Sequence, residues 1–194
     1  MLLIIDNQSA FIKKFKRNFL AEIDFETIFF DHNQPLNLPD NANIQGIILS
    51  GGKGNPYEPL NLTTNFVAIL NFQVPVLGLC LGHEIIAVSN MGRIKKLKSY
   101  NNKKELVRIK DKNDPIFESI DHDEIPLVKK HNWYVSQLPA EFISLGESDT
   151  CVNEIIRHNS KPIYGFQSHP EVSGEVGIQI MINFLKICKL YDEK

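Results

Sequence analysis

The stretch Val76-Leu-Gly-Leu-Cys-Leu-Gly-His-Glu84 carries a buried apolar run straight into a reactive residue type. The run over residues 74–79 is continuous rather than alternating, as in a strand covered on both faces. Glycines stand two positions to either side of Cys80, as Gly78 and Gly82. That is the spacing of the Gly-x-nucleophile-x-Gly elbow, where small neighbours permit a sharp strand-to-helix turn. The spacing predicts a helix over about 82–90 with the sulfur at its N-terminus, where the positive dipole end favours thiolate. The N–H of Leu81 then points toward any oxyanion formed on an acyl substrate. A free cysteine is commonly a small packing residue; the two flanking glycines turn the reading toward chemistry.

Outward from this elbow the chain alternates strand and helix. Apolar runs predict strands over 2–5, 25–30, 46–49 and 163–167. Helical spacing of apolar residues predicts helices over 11–20, 62–72 and 178–190, with an Asn- and Pro-rich loop over 31–45. This alternation implies an α/β architecture with a doubly wound, mostly parallel sheet and right-handed crossovers. Reactive groups on such sheets gather at the carboxyl ends of the strands. Between residues 93 and 163 the pattern changes to short alternating strands, among them 105–110, 142–146 and 152–157. These are expected as antiparallel additions to the same sheet. With no repeat or linker, residues 1–194 are expected to form one domain.

Composition bounds what the domain does. Of 194 residues, 43% are hydrophobic and 23% charged, which is ordinary globular usage and argues against disorder. The net charge of −2 and the absence of a Lys/Arg stripe argue against a nucleic-acid partner. The basic cluster over 93–104 is read as a solvated loop. Cys80, Cys151 and Cys188 form an odd set without close pairs, which excludes a disulfide framework and a CxxC metal knuckle. No metal or other cofactor is expected. The start MLLIIDNQ lacks a basic n-region, and no apolar stretch approaches the ~20 residues of a membrane span. A soluble, cytoplasmic protein without a membrane partner is the expectation.

A cysteine nucleophile requires a base. Gln167-Ser-His-Pro-Glu171 follows directly on the last predicted strand. There His169 can take the thiol proton and later protonate the leaving group. Glu171 can hold the imidazole in one tautomer, as the third member of a triad does. Ser50-Gly51-Gly52 ends the third strand, where glycine permits close approach of backbone to ligand. His32 and His122 are assigned to solvent, His83 to a packing or polar contact, and His158 to a turn. Cys151 and Cys188 fit packing positions.

At this point the chain resembles the class I (triad) glutamine amidotransferases. The resemblance rests on Ile4-Ile-Asp-Asn7, Ile47-Ile-Leu-Ser-Gly-Gly52, Gly78-Leu-Cys-Leu-Gly-His-Glu84 and Lys161-Pro-Ile-Tyr-Gly-Phe-Gln-Ser-His-Pro-Glu171. It implies a flavodoxin-like three-layer fold and hydrolysis of the glutamine side-chain amide through a γ-glutamyl thioester on Cys80. His169 matches the base, Glu171 its orienting carboxylate, and Gly52 and Leu81 the oxyanion positions. Gly51, Gly52, Glu84, Asn132 and Trp133 are the implied substrate contacts. The ammonia would pass to a separate synthetase subunit, since the chain has no phosphate-binding loop and no room for a synthetase domain.

Within the family, Ser148-Asp-Thr-Cys151 and Lys161-Pro-Ile-Tyr-Gly165 are most similar to the separate amidotransferase subunits of archaeal-type GMP synthetases. His131-Asn-Trp-Tyr-Val135 is similar to the amidotransferase component of anthranilate or aminodeoxychorismate synthase. Three residues depart from the family pattern. Glu84 stands where the family has Gln, adding a negative charge beside Cys80 that would disfavour thiolate. Lys53 replaces a proline and Ser168 a large residue. These departures leave open a stand-alone hydrolase or transferase acting on another γ-glutamyl compound. A non-catalytic regulatory subunit is a further alternative, set against the retention of all three triad residues.

Overall fold

The computed structural model describes residues 1–191. In chain order the elements are β1 (Leu2–Asp6), α1 (Ile12–Asn18), β2 (Thr27–Asp31), β3 (Gly46–Leu49), α2 (Thr63–Asn71), β4 (Val76–Leu79) and α3 (Leu81–Ser89). There follow β5 (Arg93–Asn101), β6 (Lys104–Ile109), β7 (Glu124–Val128), β8 (His131–Gln137), β9 (Phe142–Ser148), β10 (Cys151–His158), β11 (Ile163–Phe166) and α4 (Glu175–Ile187). Nine strands form one sheet in the order β2-β1-β3-β4-β11-β10-β9-β6-β7. The pairings from β2 to β11 are parallel and those from β11 to β7 antiparallel.

The continuous apolar runs are explained by burial on both faces. Along β1, Leu2 and Ile4 enter a core with Phe15, Phe19, Met181 and Phe184, whereas Leu3 and Ile5 enter a second core with Ala68, Ile86 and Ala87. The sheet is thus sandwiched, with α1 and α4 on one face and α2 and α3 on the other. This is the three-layer α/β arrangement expected from the alternation. No helix among the described residues is long and apolar enough to cross a membrane.

Two expectations are corrected. The basic stretch over 93–104 is not a loop: residues 93–101 form β5, which pairs antiparallel with β8. Its lysines are exposed and only Ile94 and Asn101 are buried, with register shifts along the β8 pairing, so the strand shows no regular apolar alternation by which to recognise it. Nor do all the later strands join the main sheet, because β5 and β8 make a separate two-stranded sheet. His158 does serve a turn, accepting the N–H groups of Ser160 and Lys161 at 3.1 and 3.2 Å, but it is buried.

The passage from β4 into α3 is closely packed backbone against backbone. A Cβ on Gly78 would lie 2.5 Å from the backbone of Gly82, and one on Gly82 would lie 2.2 Å from the carbonyl oxygen of Leu49 in β3. In both cases the obstacle is backbone, which cannot swing aside. Gly82→Ala is expected to destabilise the chain by about 1–3 kcal/mol or more, read as a lower urea midpoint at unchanged slope. A variant of parental stability would show that α3 can lift from the sheet without penalty.

Candidate active site

Cys80 occupies the bend between β4 and α3 with φ 49° and ψ −103°, in the positive-φ region that L side chains rarely adopt. Its N–H donates to the carbonyl of Phe166 on the adjacent strand at 2.7 Å, and its carbonyl accepts the Glu84 N–H at 3.1 Å. The backbone of Cys80 is therefore tied to both β11 and the first turn of α3. The thiol donates to the Lys130 carbonyl at 3.7 Å.

Because β4 and β11 run parallel with Leu79 opposite Phe166, the residues just beyond each strand share one edge. His169 is brought to Cys80 in this way. Its Nδ1–H donates to Glu171 Oε1 at 2.7 Å, which leaves Nε2, otherwise without a hydrogen-bond partner among the described residues, available to the thiol. The ring of Phe11 meets the imidazole edge-on at 4.7 Å between centroids. The α-carbon of Gly51 lies behind the pair: a Cβ there would be 2.8 Å from His169 Cε1 and 3.4 Å from Cys80 Cβ.

Burial and charge compete at this pair. Burial alone would depress the imidazole, but the Glu171 carboxylate and the Cys80 sulfur outweigh it and push His169 up to about 10. Burial raises the Cys80 thiol above its ordinary value although His169 pulls it down. The helix N-terminus was expected to favour thiolate; in the folded chain desolvation is the larger effect. The adjacent imidazolium, held charged by Glu171, is the counter-ion that a thiolate requires.

The sulfur opens into a cavity of about 790 Å³, whose wall includes Gly52, Leu81 and His169. Gly52 abuts Leu81, since a Cβ on it would meet Leu81 Cδ2 at 2.7 Å, so the two expected oxyanion positions adjoin. Glu84, Asn132 and Trp133 also line the cavity, whereas Gly51 packs against the His169 ring. Sequence reading did not single out Phe11, Lys96, Tyr100 and Lys130, which share the wall. They arrive from α1's N-terminal cap, from β5 and from the β7–β8 junction. Only the Asp6-Asn7 ending of β1 hinted at a contribution from the first loop. Among the described residues, no cluster of three or more His, Cys, Asp and Glu side chains could hold a metal ion.

Glu84 corrects an electrostatic expectation. It is 2% exposed, its Oε1 accepts Gln167 Nε2–H at 3.1 Å, and its Oε2 has no partner among the described residues. Burial pushes its carboxyl up to about 8, against the pull of Gln167 and helped by the nearby Glu58 charge. At neutral pH this group is a neutral acid with a donor and an acceptor, closer to an amide than to a carboxylate. The anticipated negative charge beside Cys80 develops only in alkaline solution.

Two measurements follow from these shifts. Between about pH 4.5 and about pH 8 the folded chain keeps a proton on Glu84 that the unfolded chain has lost, so stability falls as pH rises through that window. Glu84→Gln removes this loss. The melting temperature of the variant relative to the parent is therefore expected to climb from pH 5 to pH 9, and a constant difference would contradict the burial argument. In Glu171→Gln, the proton affinity of His169, followed by NMR of the ring Cε1–H, should drop about tenfold or more. An unmoved titration would show that Glu171 is not what holds the imidazole charged.

Comparison with known proteins agrees with the site's design. The family model for glutamine amidotransferase class-I matches residues 3–188. A glutamine-hydrolyzing GMP synthase subunit from Methanococcus aeolicus is 34% identical, with 100% of each chain covered. The protein of the same name from Methanocaldococcus jannaschii is 33% identical over 97% of each. A solved structure from Thermoplasma acidophilum, provisionally called a GMP synthase subunit, superposes with a TM-score of 0.85 at 28% identity, covering 97% of this chain and 93% of the other. A cysteine elbow and a histidine–glutamate pair on neighbouring strand ends thus accompany a family match along nearly the whole chain, and the chain belongs to the class I glutamine amidotransferases.

Proposed function

We propose that the chain is the glutamine-hydrolysing subunit of a two-subunit GMP synthetase, working through Cys80, His169 and Glu171. The observation that carries this reading is the full-length similarity to glutamine-hydrolyzing GMP synthase subunits, combined with the 2.7 Å His169–Glu171 hydrogen bond beside the Cys80 elbow.

In this reading the Cys80 sulfur attacks the side-chain amide carbon of glutamine, and the N–H groups of Leu81 and Gly52 stabilise the oxyanion. His169 delivers its proton to the departing nitrogen as the C–N bond breaks, giving ammonia and a γ-glutamyl thioester on Cys80. Water, activated by the now neutral His169, cleaves the thioester to glutamate and restores the thiol. Glu171 stays ionised throughout and steadies the imidazolium. Asn132 and Trp133 contact the amino-acid end of the substrate, and the Glu84 acid stands in for an amide against its polar atoms. The ammonia is consumed by a separate synthetase subunit.

The test is reconstitution with the synthetase subunit from the same source. Cys80→Ala should lower glutamate release by at least about a thousandfold. Glutamine-dependent amination of the nucleotide should fall with it, while amination driven by added ammonium salts should persist. Parental glutamate release by the variant would overturn the assignment. Equal turnover without the synthetase, with another γ-glutamyl compound preferred over glutamine, would favour a stand-alone hydrolase instead.

A further inference from the structure

Lys129 is among the largest fully buried side chains of the protein, with 0% exposure. Its ammonium donates to Glu154 Oε2 at 2.7 Å, to the Ser148 hydroxyl and, at 3.2 Å, to Glu105 Oε2. Glu154 is itself at 0% exposure. Glu105 is further held by Asn101 and Thr150, each at 2.9 Å. A buried ion pair is usually no more stabilising than a well-packed apolar pair of similar volume, so stability alone is a weak reason for a charge here.

The location supplies a better reason. Residues 129 and 130 are the whole connection between β7 in the large sheet and β8 in the small one. The carbonyl before Lys129, that of Val128, accepts the backbone N–H of His169 at 2.8 Å. The carbonyl after it, that of Lys130, accepts the Cys80 thiol at 3.7 Å. Ser173 closes the arrangement, accepting the Val128 N–H at 2.9 Å and donating to the His169 carbonyl at 2.7 Å. On the other side, the Glu154 carbonyl accepts the Gln167 N–H at 2.8 Å, just before the catalytic histidine.

We infer that the buried Lys129–Glu154 pair is a positioning device: it pins the junction whose two flanking carbonyls hold the nucleophile and its base in register. Lys129 touches neither substrate nor reacting atoms and acts through the backbone of its neighbours. The inference rests on the reading of Cys80 and His169 as the working pair.

The decisive variant is the double Lys129→Met/Glu154→Leu, in which both buried charges leave together. Its stability is read by thermal unfolding, and the site by two further measurements. The first is the rate at which iodoacetamide alkylates Cys80, located by peptide mass, which needs no glutamine. The second is glutamine hydrolysis resolved into kcat and KM. The expected result is a folded protein whose Cys80 alkylates about tenfold more slowly or worse, with kcat lowered and KM little changed. The milder Glu154→Gln, which keeps an acceptor for the ammonium, should recover most of the rate. A folded double variant with parental alkylation and kcat would overturn the inference. So would one that does not fold, because the pair would then be holding the fold rather than the site. His169→Ala separates the two levels. If it leaves Cys80 alkylation at the parental rate, the base assignment fails and this inference with it; if it slows alkylation while the double variant does not, only the positioning role fails.

Discussion

Three backbones meet without room for a methyl group where Gly78, Gly82 and Leu49 pass one another. That contact presses α3 onto β3 and β4 and forces the bend in which Cys80 sits at positive φ. Strain at a single residue persists only when its surroundings over-determine it. Here the N–H of Cys80 is held by β11 and its carbonyl by Glu84. The same contact brings the chain after β3 alongside, so that Gly51 and Gly52 close against His169 and Leu81. A site assembled from three strand ends thus depends on one helix approaching the sheet as closely as a backbone can.

Electrostatics inside this enclosure run against bulk-water intuition. Removing Cys80, Glu84 and His169 from water penalises the charged form of each, yet the three end differently. Glu84 faces only the weak pull of the Gln167 amide and becomes a neutral acid. His169 has a carboxylate at 2.7 Å and keeps its charge. Cys80, between an imidazole and two acids, is held above its ordinary value chiefly by burial. Neighbouring groups in one enclosure are therefore tuned differently by their nearest partners, not by burial alone. A carboxyl at position 84 can then occupy an amide's place without repelling a thiolate at neutral pH.

The parallel half of the sheet was legible because its strands are buried on both faces and read as unbroken apolar runs. The elbow was legible because two glycines at fixed spacing have few structural uses other than a sharp turn. The region after α3 was harder. In β5 the charged residues are exposed and only Ile94 and Asn101 are buried, so a run such as Arg93-Ile-Lys-Lys-Leu-Lys98 looks like a solvated loop unless its partner β8 is known. Phe11 likewise belongs by spacing to the core face of α1, yet it caps the helix and turns its ring onto His169. Lys129 is the extreme case: nothing local distinguishes it from Lys130, although one is fully buried and the other borders the cavity.

The sequence alone determined the strand-helix alternation and the elbow, and singled out Cys80, His169 and Glu171 as the candidate nucleophile, base and carboxylate, because each is written in local spacing and residue type. Tertiary structure decided what those residues experience. It paired β5 with β8 outside the main sheet, buried Glu84 deeply enough to keep its proton, and sank Lys129 between Glu154 and Glu105. Those outcomes depend on which distant segments surround a side chain. Desolvation and charge pairing are properties of that surrounding volume, and the order of residues along the chain does not display it.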